Sequence, residues 1–106
     1  MAPPDVPFLD EALARTLSVV RPERVVLFGS WARGDAGPDS DLDLLVVTAF
    51  EGARSRTAIA ILKALADLPV PTDAVVLRPD EWERWRGVPG TVAYPADQEG
   101  VVLYEA

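Results

Sequence analysis

The sequence predicts an α+β fold, a small central mixed sheet with helices packed on it. Two stretches place apolar residues at helical spacing, and four short apolar runs are bounded by Gly, Pro or Asp. Their order along the chain is helix, strand, strand, helix, strand, helix, strand, an alternation that suits one sheet covered by helices. With 106 residues there is enough chain for one core and too little for two. The expected organisation is a flexible tail over residues 1–7, carrying two early prolines, and a single domain over residues 8–106.

In "FLDEALARTLSVV" Leu9, Leu13, Thr16, Leu17 and Val20 recur on one helical face, with Phe8 and Ala12 widening it, so residues 8–20 read as an amphipathic helix stopped by Pro22. "RVVLFGS" supplies Val25 to Phe28 as a buried strand ended by glycine, and "DLDLLVV", residues 41–47, is the second strand. "RSRTAIAILKALADL" aligns Ala58, Ile61, Leu62, Leu65 and Leu68 as a helix, and "DAVVL", residues 73–77, is the third strand. Asp80 is placed to cap the next helix, with Glu83 at the capping-box position. Trp82 and Trp85 suit the core better than a partner surface. "GVPGTVAYPADQ" is ambiguous because Gly90 and Pro95 interrupt a long helix, and "GVVLYE" reads as a last short strand.

Composition narrows the chemistry. The chain has no cysteine and no histidine, which removes disulfides, thiolate and Ser-His-Asp catalysis and the usual zinc ligands. A metal ion here must be held by oxygen. The formal net charge of −7 opposes broad attraction to nucleic acid and favours cations and basic partners. No apolar run is long enough to span a membrane, and "MAPPDVP" lacks the features of a signal peptide, so the expected compartment is the cytoplasm.

The chemistry-bearing stretch is "GSWARGDAGPDSDLDLLVV", residues 29–47. Alternation along a strand puts Asp41 and Asp43 on one face, roughly 6.6 Å apart at Cα, with Leu42 and Leu44 on the other. Carboxylates some 4–5 Å apart repel by roughly 3–4 kcal/mol at an effective dielectric of about 20, so such a pair attracts a proton, a basic side chain or a divalent cation. Oxygen-only ligation favours magnesium. Solvated acids at an exposed strand start are the simpler alternative. Gly29-Ser30, where a strand ends and a short helix opens, offers backbone N–H groups and a hydroxyl to a phosphate, or is an ordinary helix start. Trp31 suits packing on the sheet edge, Gly34 and Gly37 loop geometry, and Asp35 and Asp39 solvated turns.

The joint pattern of Gly29-Ser30, ten residues from Trp31 to Ser40, then Asp41-Leu42-Asp43 ahead of an apolar strand resembles the signature of the polymerase-beta-like nucleotidyltransferase superfamily. Arg33-Gly34 and Ser40-Asp41 match its finer form. The short chain looks like the minimal MNT-domain group, commonly encoded beside a HEPN-domain toxin. The resemblance implies the polymerase-beta-like nucleotidyltransferase fold and a third acid on a neighbouring strand. Asp73, which opens "DAVVL", fits that place better than Asp67 at a helix end or Asp80 at a helix cap.

It further implies transfer of AMP from ATP with pyrophosphate leaving. Asp41, Asp43 and Asp73 would hold Mg²⁺, two ions about 3.5–4 Å apart in the two-metal arrangement, and Asp73 could also act as general base. Gly29, Ser30, Arg33 and Ser40 would bind the nucleotide, although an arginine on a short exposed helix is often only solvated. Larger members carry an acceptor-binding domain that this length leaves out, so the resemblance implies an acceptor on a partner: a tyrosine of a HEPN toxin, with the chain as its antitoxin. Two alternatives stay open, an antitoxin that masks its partner without chemistry and a small RNA- or nucleotide-modifying transferase.

Overall fold

The structure, a computed structural model, describes residues 6–106. Its elements are α1 (Leu9–Val19), β1 (Arg24–Phe28), α2 (Ser30–Arg33), β2 (Leu42–Val47), α3 (Arg54–Leu65), β3 (Thr72–Leu77), α4 (Pro79–Trp85), α5 (Ala93–Glu99) and β4 (Val101–Glu105). The strands form one sheet in the order β3-β2-β1-β4, with β1 antiparallel to both β2 and β4 and β2 parallel to β3. This is the mixed α+β architecture expected from the order of elements. Among the described residues no helix is long and apolar enough to cross a membrane.

Strand alternation divides the core into two layers. Val25, Leu27, Leu42, Leu44, Val46, Ala74 and Val76 meet Leu9, Ala12, Ile61, Leu65 and Leu68 beneath α1 and α3. Val26, Leu45, Val47 and Leu77 meet Trp82, Ala93 and Ala96 beneath α4 and α5. Leu42 and Leu44 are fully buried, and each such leucine stabilises the fold by about 1.5–3 kcal/mol. A one-residue slip of β2 in either direction would bring Asp43 into this layer in place of a leucine, so the register is firmly set. That setting decides where the acids point.

Several local expectations are revised. Residues 1–5 of the expected tail lie outside the described residues, while Val6 is buried in the layer beneath α1. Phe8 is half-exposed at the N-cap of α1 with φ 59°, rather than part of its buried stripe. The α3 helix ends at Leu65, and Leu68 reaches the core from the turn that follows. The cap of α4 is Arg78 and not Asp80: Pro79 takes the first helical position, and Glu81, not Glu83, accepts the Arg78 N–H at 2.8 Å. Proline favours that position because its missing N–H has no helical partner to lose, which moves the helix start two residues earlier. The ambiguous stretch holds α5, where Pro95 is the third residue and again falls among N–H groups with no helical partner. Trp31, Trp82 and Trp85 all pack against the core, as expected.

Candidate active site

The end of β1 and the starts of β2 and β3 meet at one edge of the molecule. Asp43 is the second residue of β2 and lies in register between Phe28 of β1 and Asp73 of β3. It occupies the face that continues inward as Leu45 and Val47, beyond the cover of α4 and α5. Asp41 stands just ahead of the strand, where Leu42 donates its N–H to Pro71 O at 2.8 Å and joins β2 to the lead-in of β3. Asp41 and Asp73 are exposed and Asp43 is half-buried. The Asp73 carboxylate accepts the N–H of Ala74 at 2.9 Å.

Electrostatics tie the three acids together. Burial first, then the charges of Asp41 and Asp73, push the Asp43 carboxyl above its ordinary range, and Arg33 opposes them. Arg33 is itself drawn to Asp35 at 3.3 Å and to Glu99 at 3.6 Å, so its charge is shared. The resulting oxygen-only set carries excess negative charge, a donor chemistry that fits a hard divalent cation. Among the described residues no three carboxylates already form a metal-holding cluster. The acids lie along one edge without closing on a point.

Gly29 completes this edge in a way composition did not reveal. Its φ of 77° and ψ of −159° belong to a region that other residues avoid, and a Cβ here would run into the Asp43 carboxylate. Glycine is needed so that the backbone can pass the acid at close range. It serves as N-cap of α2 and its carbonyl accepts the N–H groups of Ala32 and Arg33, both at 3.1 Å. No side chain caps α2, so Ser30 is the first helical residue and is not the cap. Gly34 ends the helix at φ 86° and donates to Ser30 O at 3.0 Å.

The loop from Asp35 to Ser40 is closed by its own atoms. Ser40 Oγ accepts the Gly37 N–H at 2.8 Å, and Trp31 Nε1 donates to Ser40 O at 3.2 Å. The Trp31 ring, packed on the core, thereby fixes the residue just before Asp41. Ser40 acts in loop closure here, and Asp35 pairs with Arg33 instead of being merely solvated. Of the predicted residues, the fold gathers Gly29, Arg33, Asp41, Asp43 and Asp73 about one edge, with Ser30 adjoining Gly29. Sequence reading missed Glu99, because it ends a helix in the stretch that gave no clear signal. The demand on Gly29 arises from the antiparallel pairing of Phe28 with Asp43, which no local sequence signal gives.

Residues 9–93 match the nucleotidyltransferase domain family. The chain belongs to that family. Solved structures similar to this nucleotidyltransferase-domain chain include a Sulfolobus solfataricus protein described as a candidate nucleotidyltransferase, 23% identical, covering 90% of this chain and 75% of its own, with a TM-score of 0.59. A mutant of the toxin-antitoxin MntA-HpeT is 17% identical, covers 92% and 73%, and has a TM-score of 0.62. A toxin-antitoxin complex with AMP-PNP is 18% identical, covers 92% and 74%, and has a TM-score of 0.56. No curated protein matches the chain significantly. These likenesses show that the chain shares the fold of these solved structures.

Proposed function

We propose that the protein is an antitoxin that transfers AMP from ATP to a hydroxyl, a tyrosine, of a partner HEPN toxin. The observation that carries this reading is the in-register pairing of Asp43 with Asp73 beside Asp41, on a member of the nucleotidyltransferase family. Similarity to a toxin-antitoxin pair and to a complex holding AMP-PNP supports the nucleotide and the kind of partner.

In this reading Asp41 and Asp43 would hold Mg²⁺, with Asp73 completing the set. Held by these acids, Mg²⁺ would supply charge neutralisation for the triphosphate and a lowered pKa at an attacking hydroxyl. Ser30 and the backbone at Gly29 bind outer phosphates, Arg33 adds positive charge nearby, and Ser40 holds the loop that presents Asp41. The acceptor oxygen forms a bond to the α-phosphorus, the bond from that phosphorus to the bridging oxygen breaks, and pyrophosphate leaves. The acceptor's proton passes to Asp73, which is exposed and can release it to water.

The test is mass spectrometry of a HEPN-domain protein encoded beside this chain after incubation with ATP and Mg²⁺. The expected result is one added AMP per modified tyrosine, absent with Asp41→Asn/Asp43→Asn. A toxin that is inhibited but unmodified points to masking, and label appearing on RNA points to an RNA-modifying transferase. Either result overturns the proposal.

A further inference from the structure

The end of the sheet opposite the acids holds a cavity of about 430 Å³, walled by Trp82 of α4 together with Glu23, Arg24, Val47, Glu83 and Glu105. Arg24 opens β1 in register with Val47 at the end of β2 and Glu105 at the end of β4, whereas Phe28, beside Asp43, closes β1. At about 3.3 Å per residue, roughly 13 Å of strand separates this cavity from the acidic edge. Backbone bonds tie the strands together here: Glu23 donates its N–H to Val47 O at 2.8 Å and accepts the Ala106 N–H at 3.0 Å.

Two observations give the cavity a ligand preference. Trp82 is 3% exposed, and its indole N–H is the one buried side-chain polar group without a hydrogen-bond partner among the described residues. A buried donor without an acceptor is costly, so an oxygen is what this wall lacks. The second observation is charge. Arg24 is matched by Glu105 at 2.9 Å, and Arg86, 4.9 Å from the Trp82 ring centre, binds Asp97 at 2.7 Å and reaches Glu83 only at 3.5 Å. Glu23 is exposed and has no ion-pair partner among the described residues. Three glutamates against one arginine leave the lining negative, in the same sense as the net charge of −7, and select a cation.

We propose that this cavity receives an arginine of a partner protein, its guanidinium paired with Glu23 and Glu83 and a main-chain carbonyl beside it accepting the Trp82 N–H. A planar guanidinium offers donors along more than one edge and meets two carboxylates at once, which a lysine ammonium does less well. A carbonyl suits the indole N–H better than a carboxylate, which the glutamates repel. Arg24 lies over the indole with its Cζ 5.6 Å from the ring centre, so the acceptor reaches the N–H as the Arg24 side chain swings aside with Glu105, which is 56% exposed. Side chains give way here and backbone does not. Nothing in this pairing uses Asp41, Asp43 or Asp73, and it stands whether or not nucleotide transfer occurs.

The test titrates the full chain with N-acetyl-arginine amide at low salt and follows the indole N–H signals of Trp31, Trp82 and Trp85 in the proton-nitrogen correlation spectrum. Trp31→Phe and Trp85→Phe identify the Trp82 signal by elimination. Saturable binding in roughly the millimolar range is expected for so small a probe, with the Trp82 indole proton moving downfield as it gains an acceptor. Glu23→Gln with Glu83→Gln, both at exposed positions, should weaken binding by about tenfold, and an unchanged thermal midpoint should confirm that the variant folds. Asp41→Asn/Asp43→Asn should leave binding unchanged, and N-acetyl-leucine amide, which lacks the cation, should leave the Trp82 signal in place. A Trp82 signal that does not move, equal binding to the glutamine variant, dependence on Asp41 and Asp43, or tighter binding of free L-arginine, which marks a small-molecule site, each overturns the proposal.

Discussion

At Gly29 a single hydrogen separates the backbone from the Asp43 carboxylate, and this contact gives the sharpest residue-level expectation. Gly29→Ala introduces both a clash and an unfavourable φ, so a loss of about 1–3 kcal/mol is expected in urea unfolding. Asp43→Asn should act oppositely on stability. It removes a partly buried charge facing two others, so a gain in stability is expected together with loss of AMP transfer. An Asp43→Asn protein that is both less stable and still active would show that the acids do not repel as described. Trp31→Phe keeps the ring but deletes the donor to Ser40, and should cost about 1 kcal/mol while loosening the loop before Asp41. Exchange of the loop amides, Gly37 first, should quicken.

Among the elements, α4 is fastened most firmly, because Glu81 both caps it and binds Arg54 of α3. Its two carboxylate oxygens accept from Arg54 at 2.6 and 2.7 Å, and one also accepts the Arg78 N–H. The Arg54 hydrogen bond, against some opposition from burial, holds the Glu81 carboxyl at about 2, below its usual 4.5. A depressed folded-state pKa means that the stability is fully present above about 4.5 and is lost as pH falls towards 2. Glu81→Gln should therefore flatten the pH dependence of thermal unfolding across that window and cost on the order of 2 kcal/mol at neutral pH. Elements such as this mark the limit of what the sequence discloses. Apolar spacing located α1, α3 and all the strands because burial acts on every turn or alternate residue. The start of α4 followed instead from Pro79 and a tertiary ion pair, and Arg54 lies 27 residues from Glu81. Asp41 and Asp43 were readable as a pair from alternation, whereas their meeting with Asp73 depends on parallel pairing across an intervening helix.

For the molecule as a whole, the proposed metal site predicts a stability that depends on cations. Any ion that binds the folded acids but not the unfolded chain stabilises by mass action, about 2.7 kcal/mol at a hundred times its dissociation constant. Mg²⁺ should thus raise the thermal midpoint of the protein without ATP or partner, and Asp41→Asn/Asp43→Asn should abolish the rise. An equal rise in that variant would place the metal elsewhere. β2 has a paired strand on both sides, and its leucines lie in the dry interior one residue from each acid. Asp43 consequently sits on the doubly paired centre of the sheet, whereas Asp41 stands just ahead of that strand and Asp73 lies on the edge strand β3. Adapting this edge to another substrate is a matter for the surrounding loops, because moving Asp43 means melting the centre of the sheet.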